Sequence, residues 1–288
     1  MDDVELSHLE TSAGTIDYVD TGGEGPTLVF VHGLVMDHTL WGTVIEGLRA
    51  DHRCVAPILP LGGHRHPMHA AADLTLHGQA TLLAEFIEAL DLHDVVLVSS
   101  DWGGPQITAV EHPGRLAGLV LLPQEAFDNI PPGLPGKFAS FLTRVPGGLA
   151  VAARTLTWPG TARMPNTFGW MVEQPIATGV LRSWATGMRS EPGVRRDVER
   201  YVRTSDMTGL IRASTRFGSF DRPVLVLWCT DDRVMPRDHG RRLAELFPAG
   251  RLVEVPDSST LIPLDAPERV VSEIRSFVAE CVPAGPVT

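Results

Sequence analysis

Short runs of apolar, β-branched residues alternate along the chain with longer stretches in which apolar residues recur every three or four positions. Seven runs are predicted to be strands: 15–20, 27–32, 53–58, 95–100, 116–122, 223–228 and 251–256. Several of them are apolar almost throughout, as parallel strands buried on both faces must be. Residues 72–92 and 266–280 have helical spacing. The alternation predicts an α/β fold with a doubly wound, mostly parallel sheet.

The alternation of strand and helix patterns stops between residues 124 and 216. This segment contains "PPGLPG" and three tryptophans, Trp158, Trp170 and Trp184, but no convincing strand pattern. So long a connection without structure of its own would be abnormal in a compact domain. We therefore predict a helical cap, residues 124–216, inserted into a core of residues 1–123 and 217–288. The cap is expected over the sheet edge where open α/β sheets bind ligands.

Composition narrows the class of partner. The 288 residues are 43% hydrophobic, which is ample for one large domain, and residues 1–10 lack the layout of a secretory signal. A net charge of −11 argues against nucleic acid or an anionic membrane as partner, because like charges repel. Cys54, Cys229 and Cys281 are scattered, without the spacing of a metal site or a disulfide framework. We expect no metal, no cofactor and a cytoplasmic location.

The stretch "VVLVSSDWGGPQITAVEHP" carries the strongest chemical signal. A buried strand ends in small residues, turns at Asp101 and enters a helix through Gly103 and Gly104. This strand–turn–helix pattern holds a nucleophile out of a tight turn, and a carboxylate nucleophile suits attack on sp³ carbon. The simpler alternative is an aspartate that caps the helix.

Two further stretches supply candidate partners for Asp101. "LVFVHGLVMDHTLW" follows a buried strand with a tight loop, so the backbone N–H groups of Leu34 and Trp102 are predicted to form an oxyanion hole. For His32 in this loop, a structural role is the simpler interpretation than that of a base. His32 is also a candidate for contact with the substrate. "VLVLWCTDDRVMP" places Asp232 where an orienting acid is expected, with Asp231 as the alternative.

Over nearly its whole length the chain resembles proteins of the α/β-hydrolase fold. "SDWGG" is similar to the "HDWGG" turn of haloalkane dehalogenases and epoxide hydrolases. The resemblance implies Asp101 as nucleophile, Asp232 as acid and a histidine that activates water. Those families carry the histidine in a stretch like "GxGHFIPLDAPE", whereas this chain reads "DSSTLIPLDAPE". Thr260 therefore occupies the position of the histidine, and Ser259 that of a glycine.

Other positions also depart from these families. Leu34 stands where many dehalogenases carry asparagine, and Tyr201 is the single cap tyrosine where epoxide hydrolases use two. Pro105 follows "GG", where fluoroacetate dehalogenases have arginine. Ser100 and Cys229 also replace the usual histidine or glycine. None of the three substrate-specific patterns is complete.

The missing histidine limits the chemistry. A threonine hydroxyl cannot deprotonate water near neutral pH, and loss of a positioned base costs roughly 10²–10⁴ in rate. The loop "LPLGGHRHPMHA" brings His64, His66 and His69 to the expected site edge, although solvated loop histidines are the simpler interpretation. Glu125 follows a strand at a position where some relatives place an alternative acid.

Three functions stay open at this point. The first is a non-hydrolytic lyase, isomerase or cyclase that uses Asp101 as acid or base, its pKa raised by burial under the cap. The second is a dehalogenase-like or epoxide hydrolase-like enzyme with a relocated base. The third is a ligand-binding pseudoenzyme. The partner in each is a hydrophobic small molecule, and the oligomeric state is open. The candidate ligand contacts are His32, Trp102, Glu125, Trp158, Trp170 and Trp184, while Met164, Met171 and Met188 are expected to serve packing.

Overall fold

The computed structural model describes residues 6–281; residues 1–5, part of the stretch where no secretory signal is expected, lie outside the described range. Its strands form one sheet in the order β1-β2-β4-β3-β5-β6-β7-β8. Their bounds are β1 (Ser7–Thr11), β2 (Gly14–Asp20), β3 (Thr27–Val31), β4 (Arg53–Pro57), β5 (Val95–Asp101), β6 (Leu116–Gln124), β7 (Val224–Cys229) and β8 (Gly250–Val255). β2 pairs antiparallel with β1 and β4, and the other pairs are parallel. The predicted fold class is confirmed.

Helices cover the sheet and fill the segment between β6 and β7. Their bounds are α1 (Gly42–Leu48), α2 (Leu76–Ala89), α3 (Gly104–Glu111), α4 (Gly133–Leu142), α5 (Gly148–Thr155), α6 (Pro159–Ala162), α7 (Thr178–Ser190), α8 (Pro192–Thr204), α9 (Met207–Ser214), α10 (Arg237–Leu246), α11 (Ile262–Asp265) and α12 (Pro267–Cys281). Short 3₁₀ helices occupy His38–Trp41, Pro113–Arg115 and Phe217–Ser219. Residues 125–223, all within the described range, contain no strand. α4 to α9 lie in this segment, which includes the predicted cap.

The core lies on both faces of the central strands. All seven residues of β5, "VVLVSSD", are buried, and its neighbours β3 and β6 are almost as apolar. Both faces of these strands pack against helices, so both faces need apolar side chains. This is why the strands appear in the sequence as runs of valine and leucine. Among residues 6–281, no helix is long and apolar enough to cross a membrane.

Polar contacts fix the helical segment over one edge of the sheet. The loop after β3 contains Asp37, whose carboxylate accepts a hydrogen bond from the Ser183 hydroxyl of α7. The indole Nε1 of Trp184 donates to Thr39 Oγ1 at 3.0 Å. Asp197 of α8 accepts from the Met68 backbone N–H at 2.8 Å. Since the loops involved follow the carboxyl ends of β3 and β4, these bonds place α7 and α8 above that edge.

Candidate active site

Asp101 is the last residue of β5 and sits in a strained turn. Its φ is 68°, in the left-handed region that few non-glycine residues adopt. The Trp102 N–H donates to the Ser100 carbonyl at 2.8 Å and closes the turn, after which α3 begins at Gly104. A Cβ on Gly104 would lie 2.1 Å from the Trp102 ring, so glycine is needed there. The turn points the Asp101 carboxyl group away from the strand, as the sequence pattern predicts.

The loop after β3 comes within contact distance of this carboxyl group. The Leu34 backbone N–H donates to Asp101 Oδ2 at 3.2 Å. A Cβ on Gly33 would lie only 2.1 Å from the same oxygen, so the loop can approach only with glycine at that position. Leu34 thus lies where an oxyanion donor is expected. The Trp102 N–H, its predicted companion, is instead bonded within the turn.

His32 holds this loop in place. The ring is fully buried, its Nε2 accepts the Leu59 backbone N–H at 3.0 Å, and its Nδ1 lies 2.9 Å from the Gly33 carbonyl oxygen. Burial lowers the pKa of His32 to about 4, so the ring is neutral near pH 7. With both nitrogens engaged, Nδ1 donates and Nε2 accepts. His32 does not line the cavity described below, and this corrects the expectation that it contacts substrate.

Asp232 and Thr260 are brought together as the register of "PLDAPE" requires. Thr260 Oγ1 donates to Asp232 Oδ1 at 2.9 Å, and the same oxygen accepts the backbone N–H groups of Val234 at 2.8 Å and Met235 at 3.0 Å. The other oxygen, Oδ2, is buried without a partner in the described structure. Asp231, the alternative acid, is exposed and accepts the Thr230 hydroxyl. The position predicted for the orienting acid thus lies in hydrogen-bond contact with the buried Thr260 hydroxyl.

A cavity of about 240 Å³ lies between the Asp101 turn and the cap. Asp101 and Glu125 are the two ionisable side chains that line it among the described residues. Most of the remaining lining is apolar and comes from α4, α5, α7, α8 and the chain after α6. It includes Phe138, Leu142, Leu156, Met164, Phe168, Met171, Met188 and Val198. Met164, Met171 and Met188, expected to serve packing, therefore also face the cavity.

Both carboxyl groups hold their protons unusually tightly. Desolvation by burial raises the pKa of Asp101 to about 7, and the nearby charge of Asp232 adds to the shift, while the Leu34 N–H opposes it. Desolvation likewise raises the pKa of Glu125 to about 8, and the charge of Asp101 adds to it. Glu125 Oε2 has no hydrogen-bond partner in the described structure. Two carboxyl groups that interact and titrate near neutrality share one apolar cavity.

The cap tryptophans do not reach this cavity, which corrects their assignment as ligand contacts. Trp158 is 61% exposed at the surface, Trp184 is fully buried against the core, and Trp170 packs on the core at its edge. Trp102 is buried beneath the turn, and its Nε1 has no partner in the described residues. Trp158 and Trp170 lie in turns outside the helices, and Trp184 is in α7, so the sequence pattern alone did not show which of them face the cavity.

None of the three loop histidines lines the cavity either. His64 is buried, accepts the Gly62 N–H on Nδ1 at 3.2 Å, and places Nε2 3.5 Å from Asp197 Oδ2. His66 lies 3.2 Å from Asp17, with half its side chain exposed, and His69 is at the surface. The described residues also contain no group of three His, Cys, Asp or Glu side chains that could hold a metal ion. The sequence-derived idea of a relocated histidine base gains no support from these positions.

Comparison with known proteins gives the family and supports the fold. A model described as "Alpha/beta hydrolase family" matches residues 28–273. "Haloalkane dehalogenase 2" of Mycobacterium tuberculosis is 27% identical over 284 residues, covering 94% of this chain and 93% of the relative. "Cis-3-alkyl-4-alkyloxetan-2-one decarboxylase" of Shewanella oneidensis is 23% identical and covers 94% and 87%. A crystal structure of an alpha/beta hydrolase fold protein from Burkholderia ambifaria superposes with TM-score 0.76 at 23% identity, covering 95% and 98%.

Proposed function

Because the chain belongs to the alpha/beta hydrolase family, we propose that it is an enzyme that acts on a small apolar molecule held between Asp101 and the cap. The proposed reaction is non-hydrolytic, of the lyase, isomerase or cyclase type. The observation that carries this proposal is the pair Asp101 and Glu125 in one apolar cavity, with pKa values raised to about 7 and about 8. The free cysteines of the described residues fit a reducing cytoplasm, which we propose as its location.

The position of Thr260 argues against ordinary ester hydrolysis. In the dehalogenase-like route, Asp101 would displace a leaving group from carbon and form an alkyl ester. A second step would need a base to activate water, and the Thr260 hydroxyl donates its proton to Asp232 rather than accepting one. The described lining of the cavity includes no imidazole. Hydrolysis of such an ester should therefore be slow by roughly 10²–10⁴.

Proton transfer suits the two carboxyl groups better. Burial raises the pKa of both carboxyl groups into the neutral range, so near neutral pH the pair can hold one proton between them. Asp101 would accept a proton from the substrate, and Glu125 would return one at another atom. An apolar cavity favours both steps because water competes little for either group. The relative from S. oneidensis is named as a decarboxylase, and decarboxylation is a non-hydrolytic reaction.

Isotope labelling of the products tests this proposal. The purified chain would be incubated in water labelled with heavy oxygen, with a panel of dialkyl oxetan-2-ones, alkyl halides and epoxides. We expect products whose summed mass equals that of the substrate and that contain no oxygen from water. Asp101→Asn should abolish the reaction.

Glu125 also supports a second candidate, in which it replaces histidine as the base of a hydrolase. That reaction would place labelled oxygen in an alcohol or diol product over many turnovers, and Glu125→Gln would stop it. Such a result would contradict the non-hydrolytic proposal.

A further inference from the structure

The cap contains a long segment without acidic residues. Residues 129–172, called here the acid-free segment, include no aspartate or glutamate, although the chain has 35 such residues. The segment carries four cations, Lys137, Arg144, Arg154 and Arg163, and all of them are exposed. None of the four forms an ion pair with any described residue. The net charge of −11 therefore conceals a surface with unpaired positive charge.

The same segment exposes an unusual amount of apolar surface. Six of the nine large hydrophobic side chains exposed among residues 6–281 belong to it: Leu134, Phe141, Val145, Val151, Trp158 and Met164. Phe141, Val151 and Trp158 are each about 60% exposed, at 58%, 61% and 61%. Scattered apolar residues are normal on a protein surface, but a concentration in one segment marks an interaction site.

Cations and apolar side chains are interleaved along the helices of this segment. Lys137 and Phe141 are four residues apart in α4, so they lie on one side of the helix, and Arg144 follows two residues after the helix ends. Arg154 stands three residues after Val151 and four before Trp158, at the end of α5. This interleaving is the pattern of a surface that lies in the headgroup region of a lipid layer, with aromatic and aliphatic groups inserted and cations on the phosphates.

The acid-free segment also surrounds the mouth of the cavity. Val151 and Met164 line the cavity and are at the same time 61% and 47% exposed, so they mark where it meets solvent. Other residues of α4 and α5 also line the cavity. An apolar ligand that left a lipid layer at this point would pass into the cavity without crossing open water.

We propose that the acid-free segment docks on an anionic lipid surface and places the cavity mouth against the acyl chains. Opposite charges drive the approach, and the exposed apolar side chains then insert. The rest of the chain outside the cap is strongly acidic, so repulsion from the same surface orients the molecule with its cap towards the lipid. This reverses the expectation, drawn from the net charge alone, that an anionic membrane is no partner.

Co-sedimentation with lipid vesicles tests the proposal on the full chain. We expect binding to vesicles of phosphatidylcholine mixed with phosphatidylglycerol, and much weaker binding to phosphatidylcholine alone. Changing Lys137, Arg144, Arg154 and Arg163 to glutamine should lower the partition coefficient by roughly fivefold for each cation removed. The matched control changes four exposed core arginines, Arg49, Arg237, Arg241 and Arg269, to glutamine and should bind at least as well as the parent chain.

Trp158 gives an independent readout, because the five other tryptophans, all within the described residues, are buried or partly buried. Lipids brominated on their acyl chains should quench the fluorescence of the bound chain, and Trp158→Phe should remove most of that quenching. Asp101→Asn should bind vesicles like the parent chain, which keeps docking separate from the proposed chemistry. Equal partition into both lipid mixtures, loss of binding in the core-arginine control, or binding to acidic proteins without binding to vesicles would each overturn the proposal.

Discussion

The pKa of Asp101 makes a prediction about folding stability that does not depend on the identity of the substrate. Burial raises the folded-state pKa to about 7 from an ordinary value of 3.8. Below pH 3.8 the carboxyl group is protonated in both states and contributes nothing. Between 3.8 and about 7 the unfolded chain ionises more readily, so stability is lost as pH rises, and above about 7 the loss is complete. A shift of about three pH units corresponds to roughly 4 kcal/mol.

Asp101→Asn removes this penalty while it preserves shape. The amide oxygen can still accept the Leu34 N–H that now bonds Oδ2 at 3.2 Å. We therefore expect the variant to be more stable than the parent by roughly 4 kcal/mol at pH 8.5 and by only about 1–2 kcal/mol at pH 5. For a chain of this size, the larger gain raises the melting temperature by about 8 °C or more.

Urea unfolding of both chains at several pH values, followed by far-ultraviolet circular dichroism, measures the difference directly. Asp91→Asn is the matched control, because the pKa of Asp91 is held below its ordinary value by Arg115 and His93 at the surface. That variant should show no gain that grows with pH. If Asp101→Asn is no more stable than the parent at pH 8.5, or if its advantage is independent of pH, the carboxyl group is not held in a dry site.

Two further predictions concern activity once a substrate is found. The rate should peak near neutral pH, rising as the pair Asp101 and Glu125 loses its first proton and falling as it loses the second, because burial raises both pKa values. Glu125→Gln should lower the rate by roughly 10²-fold or more and remove the alkaline limb, and an unchanged pH profile would contradict its role. Gly33→Ala would place a Cβ 2.1 Å from Asp101 Oδ2 and should abolish activity, whereas Gly160→Ala, with no atom within 4 Å of its added Cβ, should leave the rate unchanged.

The sequence could predict most of the sheet because double burial leaves a strong pattern. Seven strands were predicted, and each has a counterpart in the structure. β1, "SHLET", was missed because this edge strand is exposed or half-buried along its length, so its residues carry no apolar signal. The start of α2 was predicted four residues early, since Thr75, whose side chain accepts the Gly78 N–H, caps the helix there.

Site residues could be predicted from the sequence only where a motif fixes the local backbone conformation. The turn at Asp101, the Leu34 N–H and the Asp232–Thr260 contact all follow from strands whose ends meet at one sheet edge. Side-chain directions between β6 and β7 depend on how the helices and the turns that join them pack, and sequence spacing does not fix this. Trp158 and Trp184 therefore point to the surface and the core, while methionines line the cavity.

Net charge is coarse in a similar way, because it is a sum over the whole chain. It summed an acidic core with a segment that has no acidic residue at all. A sum over the whole chain cannot show where the charges lie.

The most direct test of the proposed site is the mass of the intact chain after exposure to a reactive alkyl halide. Asp101 should displace the halide and form one ester per chain, and the ester should persist because Thr260 cannot activate water. Asp101→Asn should gain no mass, and Thr260→His should release the adduct if Asp232 orients the new ring. Failure of that rescue alone decides little, since histidine must fit a fully buried threonine site. Many equivalents of alcohol per chain from the unmodified protein, abolished in Asp101→Asn, would contradict the proposal that hydrolysis is blocked.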